Sequence, residues 1–114
     1  AHTDKLVSVM TGATYNDTQI KRTMQQCYNN NRYILDPHGA CGYQALKDML
    51  HEGETGVFGE TAHPAKFQNI VEEAIGTSIA IPERLQKFMQ GTKQSIQMSS
   101  NFEDFKNLLM AKEA

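Results

Sequence analysis

Two short segments concentrate the residue types that do polar chemistry, Asp36-Pro37-His38-Gly39-Ala40 and Thr61-Ala62-His63-Pro64-Ala65-Lys66-Phe67. Each ends a short extended run and opens an apolar-periodic stretch. A turn of this kind brings a carboxylate, hydroxyl or imidazole to a helix start, where unpaired amides and the positive dipole end suit a small polar ligand. Thr61 offers a hydroxyl that can donate or accept one well-aimed hydrogen bond, and at the carboxyl end of a strand it would sit where open α/β sheets hold ligands. Lys66 sits near a positive helix end, where the dipole disfavours its charge. Plainer readings stand beside these. Taken alone, Thr61 reads first as a helix cap, His63 as a satisfied turn residue and Lys66 as a solvated side chain. Asp36 before proline reads as a turn former bonded to the backbone two residues on, and His38 as a cap or a cleft residue. No nucleophile elbow, paired-cysteine metal site or glycine-rich phosphate loop occurs, so motif chemistry alone leaves function open.

The elements that must position these residues follow from periodicity. Leu6 to Met10 alternates weakly and reads as a short strand or a linker. Asn16 with Gln19 fits a capping box, and Ile20, Met24, Cys27 and Tyr28 then share one helical face up to Asn29-Asn30-Asn31. Tyr33-Ile34-Leu35 is extended into Asp36-Pro37, because a residue before proline is pushed out of the α region. A second helix is expected with Tyr43, Leu46, Met49 and Leu50 facing inward, ending near His51-Glu52-Gly53. Gly56-Val57-Phe58-Gly59-Glu60 reads as a buried strand, central to the fold, feeding the Thr61 turn. Beyond Pro64, the residues Phe67, Ile70, Val71, Ala74 and Ile75 form an apolar stripe ending at Gly76. Ile79 and Ile81 bracket an extended piece, Leu85, Phe88 and Met89 mark a helix after Pro82, and Phe102, Phe105, Leu108 and Leu109 mark a last helix capped by Ser100 or Asn101.

Composition narrows the class. With 114 residues the chain is one domain's worth of sequence. Lys plus Arg total 11 against 13 Asp plus Glu, a net charge of -2 without any basic run, which argues against nucleic acid and anionic membranes as partners. No stretch has the ~18 apolar residues of a spanning helix and no signal-peptide pattern is present, so a cytoplasmic protein is the default expectation. Cys27 and Cys41 lack metal-ligand spacing and read as free thiols, and no metal site is expected.

The run Asp36-Pro37-His38-Gly39-Ala40-Cys41-Gly42-Tyr43-Gln44-Ala45-Leu46, followed by Thr61-Ala62-His63-Pro64-Ala65-Lys66-Phe67, Val71 and Ala74-Ile75-Gly76, closely resembles the carboxyl-terminal part of threonine synthase. The resemblance extends from about Val7 through Leu109 and includes Ile81-Pro82-Glu83-Arg84-Leu85. Gly39, where the family commonly has threonine, and Gly59-Glu60, where it often has smaller or apolar residues, depart from it. The resemblance implies a helix-rich carboxyl-terminal portion of an α/β, tryptophan-synthase-β-like pyridoxal-phosphate enzyme, which converts O-phosphohomoserine and water to threonine and phosphate. Residues 1–114 would then be a single carboxyl-terminal fragment belonging to the large cofactor-binding domain of a longer protein, a reading that also suits a chain starting Ala1-His2-Thr3. By motif position, Thr61 would be the hydroxyl partner of the cofactor's pyridine nitrogen, and His38 and His63 would lie near the active-site mouth. A neutral hydroxyl cannot stabilise a pyridinium as an aspartate would, so electron withdrawal would be moderated. Lys66 is not at the family's Schiff-base position; that lysine and the cofactor-phosphate loop are expected upstream, so no catalytic residue is expected in this fragment and it should be inactive alone. Apolar faces covered in the parent would then drive the fragment to self-associate. The alternative, from another class, is a self-sufficient α/β interaction or regulatory module without catalysis.

Overall fold

The structure, a computed structural model, describes residues 3–113. The described helices are α1 (Thr3–Val7), α2 (Asp17–Asn31), α3 (Pro37–Met49), α4 (Gln68–Ile75), α5 (Glu83–Met89) and α6 (Phe102–Glu113), with a 3-10 turn, Pro64–Phe67, running directly into α4.

α2 is the organising element, and its start is built as the sequence predicts. The Asn16 side chain accepts from the Gln19 amide at 2.9 Å while the Gln19 side chain accepts from the Asn16 amide at 3.0 Å, a reciprocal box that satisfies two otherwise orphaned donors. The helix stops where Arg32 takes a left-handed conformation, φ 55°, and its amide returns to the Tyr28 carbonyl. α3 and α4 both pack on α2. Met24 and Cys27 of α2, Leu35, Ala40 of α3 and Val71, Ala74 and Ile75 of α4 form the core, with Ile20, Tyr28, Tyr43, Phe58 and Phe67 partly buried around it. α4 ends as expected at Gly76, whose φ of 72° is a conformation that costs glycine little and other residues more. Across the surface, Lys21 pairs with Glu73, joining α2 to α4.

Several expectations are corrected. Leu6–Met10 forms no strand: its first residues close α1, whose amide bonds continue to Ser8 and Met10. Val57-Phe58 is also not a strand. Val57 is 92% exposed, and only Phe58 turns inward, edge-on to Tyr43 with ring centroids 5.6 Å apart. The physical reason is pairing: one extended segment cannot satisfy its own amides and carbonyls, and no second strand lies among the described residues to form a ladder. In α3 the inward face is rotated from the expected one. Gly39 and Ala40 are its buried residues, Tyr43 and Leu46 are half-buried, and Met49 and Leu50 are exposed. Ile70 in α4 is exposed as well.

Outside the α2–α3–α4 core the chain opens out. α1 and α5 bury no residue, and the apolar stripes predicted from Phe88, Phe102, Phe105 and Leu109 stand in solvent. Asn101 is the cap of α6, accepting from the Glu103 amide at 2.8 Å. The radius of gyration is accordingly 19.6 Å, against the ~13 Å of a compact domain this long. No described helix is long and apolar enough to cross a membrane.

Candidate functional site

Asp36 is the fixed point of the site. Proline at the next position supplies a helical φ without wasting a donor, so the chain turns into α3 there with Asp36 as its N-cap. Its carboxylate is fully buried. One oxygen accepts from the Gly39 amide at 2.9 Å; the other accepts from the His38 amide at 3.2 Å and lies 3.0 Å from the His38 Nδ1. Burial works against the charge of Asp36, but the neighbouring Glu60 carboxyl, the two amides and the His38 ring outweigh it, and its pKa falls below the usual carboxylate value. Asp36 and His38 therefore touch. The His38 ring, itself largely exposed, also packs against Phe67 with centroids 5.2 Å apart. The two sequence motifs therefore meet in space.

Thr61 is exposed and caps nothing. The cap of the 3-10 turn is His63, whose Nδ1 accepts from the Ala65 amide at 3.1 Å, which requires the unprotonated nitrogen there and leaves Nε2 to carry the ring proton. The plainer reading of Thr61 as a helix cap is thereby replaced, while His63 takes the turn role. Among the described residues the Thr61 hydroxyl makes no side-chain hydrogen bond. It lines, with Tyr33, Glu60, Ala62, His63 and Lys66, an open groove of about 450 Å³. Lys66 is exposed there and forms no ion pair among the described residues. His38 is not part of that lining.

Sequence reasoning missed Glu60 as a member of the site. It is half-buried, and both of its carboxylate oxygens are shielded from solvent without a hydrogen-bond partner. They lie against the Gly39 Cα, so close that a Cβ on Gly39 would overlap them. Burial, and then the Asp36 carboxylate beside it, push the Glu60 pKa up to about 7. The available signal was the acidic residue closing the otherwise apolar, glycine-flanked run before Thr61. Glu60 also lines a second groove, of about 440 Å³, with Cys27, Asn31, Tyr33, Tyr43 and Phe58. Elsewhere, a polar cleft of about 370 Å³ between α2 and α3 holds a chain of hydrogen bonds in which Asp48 accepts from the Tyr15 hydroxyl and from Gln44. That bond to Asp48 raises the Tyr15 pKa. No three His, Cys, Asp or Glu side chains converge on a common metal position among the described residues.

One hydroxyl, one imidazole, one lysine and one carboxyl thus line a single open groove on the segment that leads through the 3-10 turn into α4. The family model described as "Threonine synthase, C-terminal" matches residues 39–109, and the chain belongs to this family. The threonine synthase of Haemophilus influenzae is 38% identical over 94 residues, covering 82% of this chain and 22% of that protein. That of Escherichia coli is 34% identical over 98 residues, covering 86% and 23%. In three dimensions, the crystal structure of Escherichia coli threonine synthase superposes with a TM-score of 0.85 at 30% identity, over 97% of this chain and 26% of that one. The threonine synthase of Brucella melitensis, solved with pyridoxal phosphate bound, has the same fold over 95% of this chain, with a TM-score of 0.73 at 22% identity. The chain thus spans about a quarter of the length of the proteins it matches, and the helix-rich fold is that of their matching portion.

Proposed function

We propose that this chain acts as part of a pyridoxal-phosphate-dependent threonine synthase of the cytoplasm, converting O-phosphohomoserine and water to threonine and phosphate, and that it supplies the pyridine-nitrogen side of the cofactor site. The observation that carries this reading is the state of Thr61: an exposed hydroxyl in an open groove, free of any capping bond, in a chain whose family and fold are those of threonine synthase. A neutral hydroxyl fits a pyridine nitrogen, because it can donate to that nitrogen without forcing a proton onto it. The cofactor would supply an electron sink for the substrate's carbanion chemistry. Residues in and beside the groove would do the rest. Thr61 would orient the ring, the Asp36 carboxylate would hold the His38 ring at the mouth, and His63, fixed by the Ala65 amide, would present its Nε2 proton. Lys66 is read as structural. The exposed apolar residues of α5 and α6 would be covered by the rest of the enzyme, and an isolated chain would pair them with a second copy.

The test is a Thr61 series in the intact enzyme. Thr61→Val keeps shape and removes the hydroxyl, which should cost roughly 1–3 kcal/mol in whichever state depends on that contact. Thr61→Ser should be mild, and Thr61→Asp should protonate the ring and shift the cofactor's absorption. Because Thr61 is exposed and caps nothing, none of the three should change folding stability by more than about 0.5 kcal/mol. Cofactor spectra identical to wild type in all three variants would remove Thr61 from the site.

A further inference from the structure

Gly39 and Glu60 come from different segments, yet they occupy one volume. The Glu60 carboxyl fills the space a side chain at Gly39 would need, and it does so alongside the buried Asp36 carboxylate. As a charged group Glu60 has no donor: both oxygens are shielded and unpartnered. A buried, unpaired carboxylate next to a second carboxylate is strongly disfavoured, and one proton resolves the conflict. The neutral Glu60 acid becomes a donor, and Asp36, which already accepts from two amides, is the acceptor beside it. We infer that Glu60 is a positioning residue: as a neutral acid seated in the notch left by Gly39, it hydrogen-bonds Asp36 and clamps the turn carrying Thr61 to the start of α3, which carries His38.

The consequence for Thr61 rests on the proposed cofactor role, whereas the clamp itself does not. The titratable and charged groups around Glu60 are Asp36 and His38 at the start of α3, Tyr33 before it, Cys27 of α2, Tyr43 of α3, and His63 and Lys66 beyond Thr61. Only Asp36 among them acts on the Glu60 proton. The sign follows directly. The folded chain keeps on Glu60 a proton that the unfolded chain releases near 4.5, so this contribution to stability is complete below 4.5 and drains away as pH rises through about 7. Above that range the second charge has no donor, and the clamp opens.

Two measurements on the intact protein test this. The first is the melting temperature from pH 5 to 9 without added cofactor. Wild type should lose stability from about pH 5 and level off above about 7, and Glu60→Gln, which keeps a neutral donor, should be flat across that range. Gly39→Ala should expel the carboxyl, lowering the melting temperature at pH 6 and abolishing the pH step, and Gly39→Ala combined with Glu60→Ala should recover part of that loss. A wild-type curve as flat as that of Glu60→Gln would overturn the clamp. Losses that simply add in the Gly39→Ala and Glu60→Ala pair would do the same. The second measurement is the absorption of the cofactor-loaded protein over the same pH range. It should change with a midpoint near 7 in wild type, where the folded protein itself releases the proton, and stay constant in Glu60→Gln. A Glu60→Ala protein that stays folded and keeps the wild-type spectrum at every pH overturns the positioning role. An unaltered spectrum in Thr61→Val refutes the cofactor reading instead, and leaves the melting curves to decide the clamp.

Discussion

Replacing Asp36 with alanine removes a fully buried carboxylate that accepts from the Gly39 amide at 2.9 Å and from the His38 amide at 3.2 Å. A lost N-cap alone costs about 0.5–2 kcal/mol. Here the Gly39 amide is also buried, so it is left without a partner and without water, a penalty of about 1–3 kcal/mol that overlaps the first. The two together should amount to about 2–3 kcal/mol, a large share of the ~5–15 kcal/mol that holds a domain folded. Asp36→Asn keeps an acceptor for Gly39 and can donate to Glu60, so its cost should stay below about 1 kcal/mol. Urea denaturation at pH 6, where Glu60 largely holds its proton, isolates the cap. The Asp36 pKa is depressed, so its charge contributes stability above the ordinary value of 3.8 and loses it as pH falls below that. The gap between wild type and Asp36→Ala should narrow correspondingly in acid. An alanine variant within about 0.5 kcal/mol of wild type at pH 6, or an asparagine variant as unstable as alanine, would refute the reasoning.

Three further outcomes are expected. Met24 is 0% exposed at the centre of the core, so Met24→Ala should cost about 2–5 kcal/mol and Met24→Leu under about 1.5. Val57, at 92% exposed, should tolerate Val57→Thr within about 0.5 kcal/mol; a loss near 2 kcal/mol in the same urea titration would restore the buried-strand reading. Glu72 accepts from Gln68 and from the Ile79 amide, bonds that hold its pKa below the ordinary value and tie the chain after α4 back onto it. In acid, as Glu72 takes up its proton, hydrogen-exchange protection of the Ile79 amide should fall; protection that persists in Glu72→Ala would exclude this tie.

Local signals were legible wherever the physics is local. The Asn16–Gln19 box, proline at the start of α3, the stop at Gly76 and the Asn101 cap involve residues within a turn of one another, and all form as their spacing indicates. The α2 stripe was equally readable, because residues at helical spacing share a face whatever lies opposite. Family membership was also contained in the chain, through two ordered motifs in which local structure and chemistry coincide. What faces what was not. An apolar run such as Val57-Phe58 suits a strand or a loop equally, and only the absence of a neighbouring strand among the described residues decides between them. The stripes of α5 and α6 looked like core, but burial needs a partner surface, and no described element provides one. Glu60 is the clearest case: its unusual proton affinity arises from Gly39 and Asp36, more than twenty residues away in sequence, and no local pattern encodes that encounter. Sequence alone determined α2 to α6, the Asn16 and Asn101 caps and the family. Tertiary structure decided which side chains meet, because burial and electrostatic coupling depend on distances in space that spacing along the chain does not set.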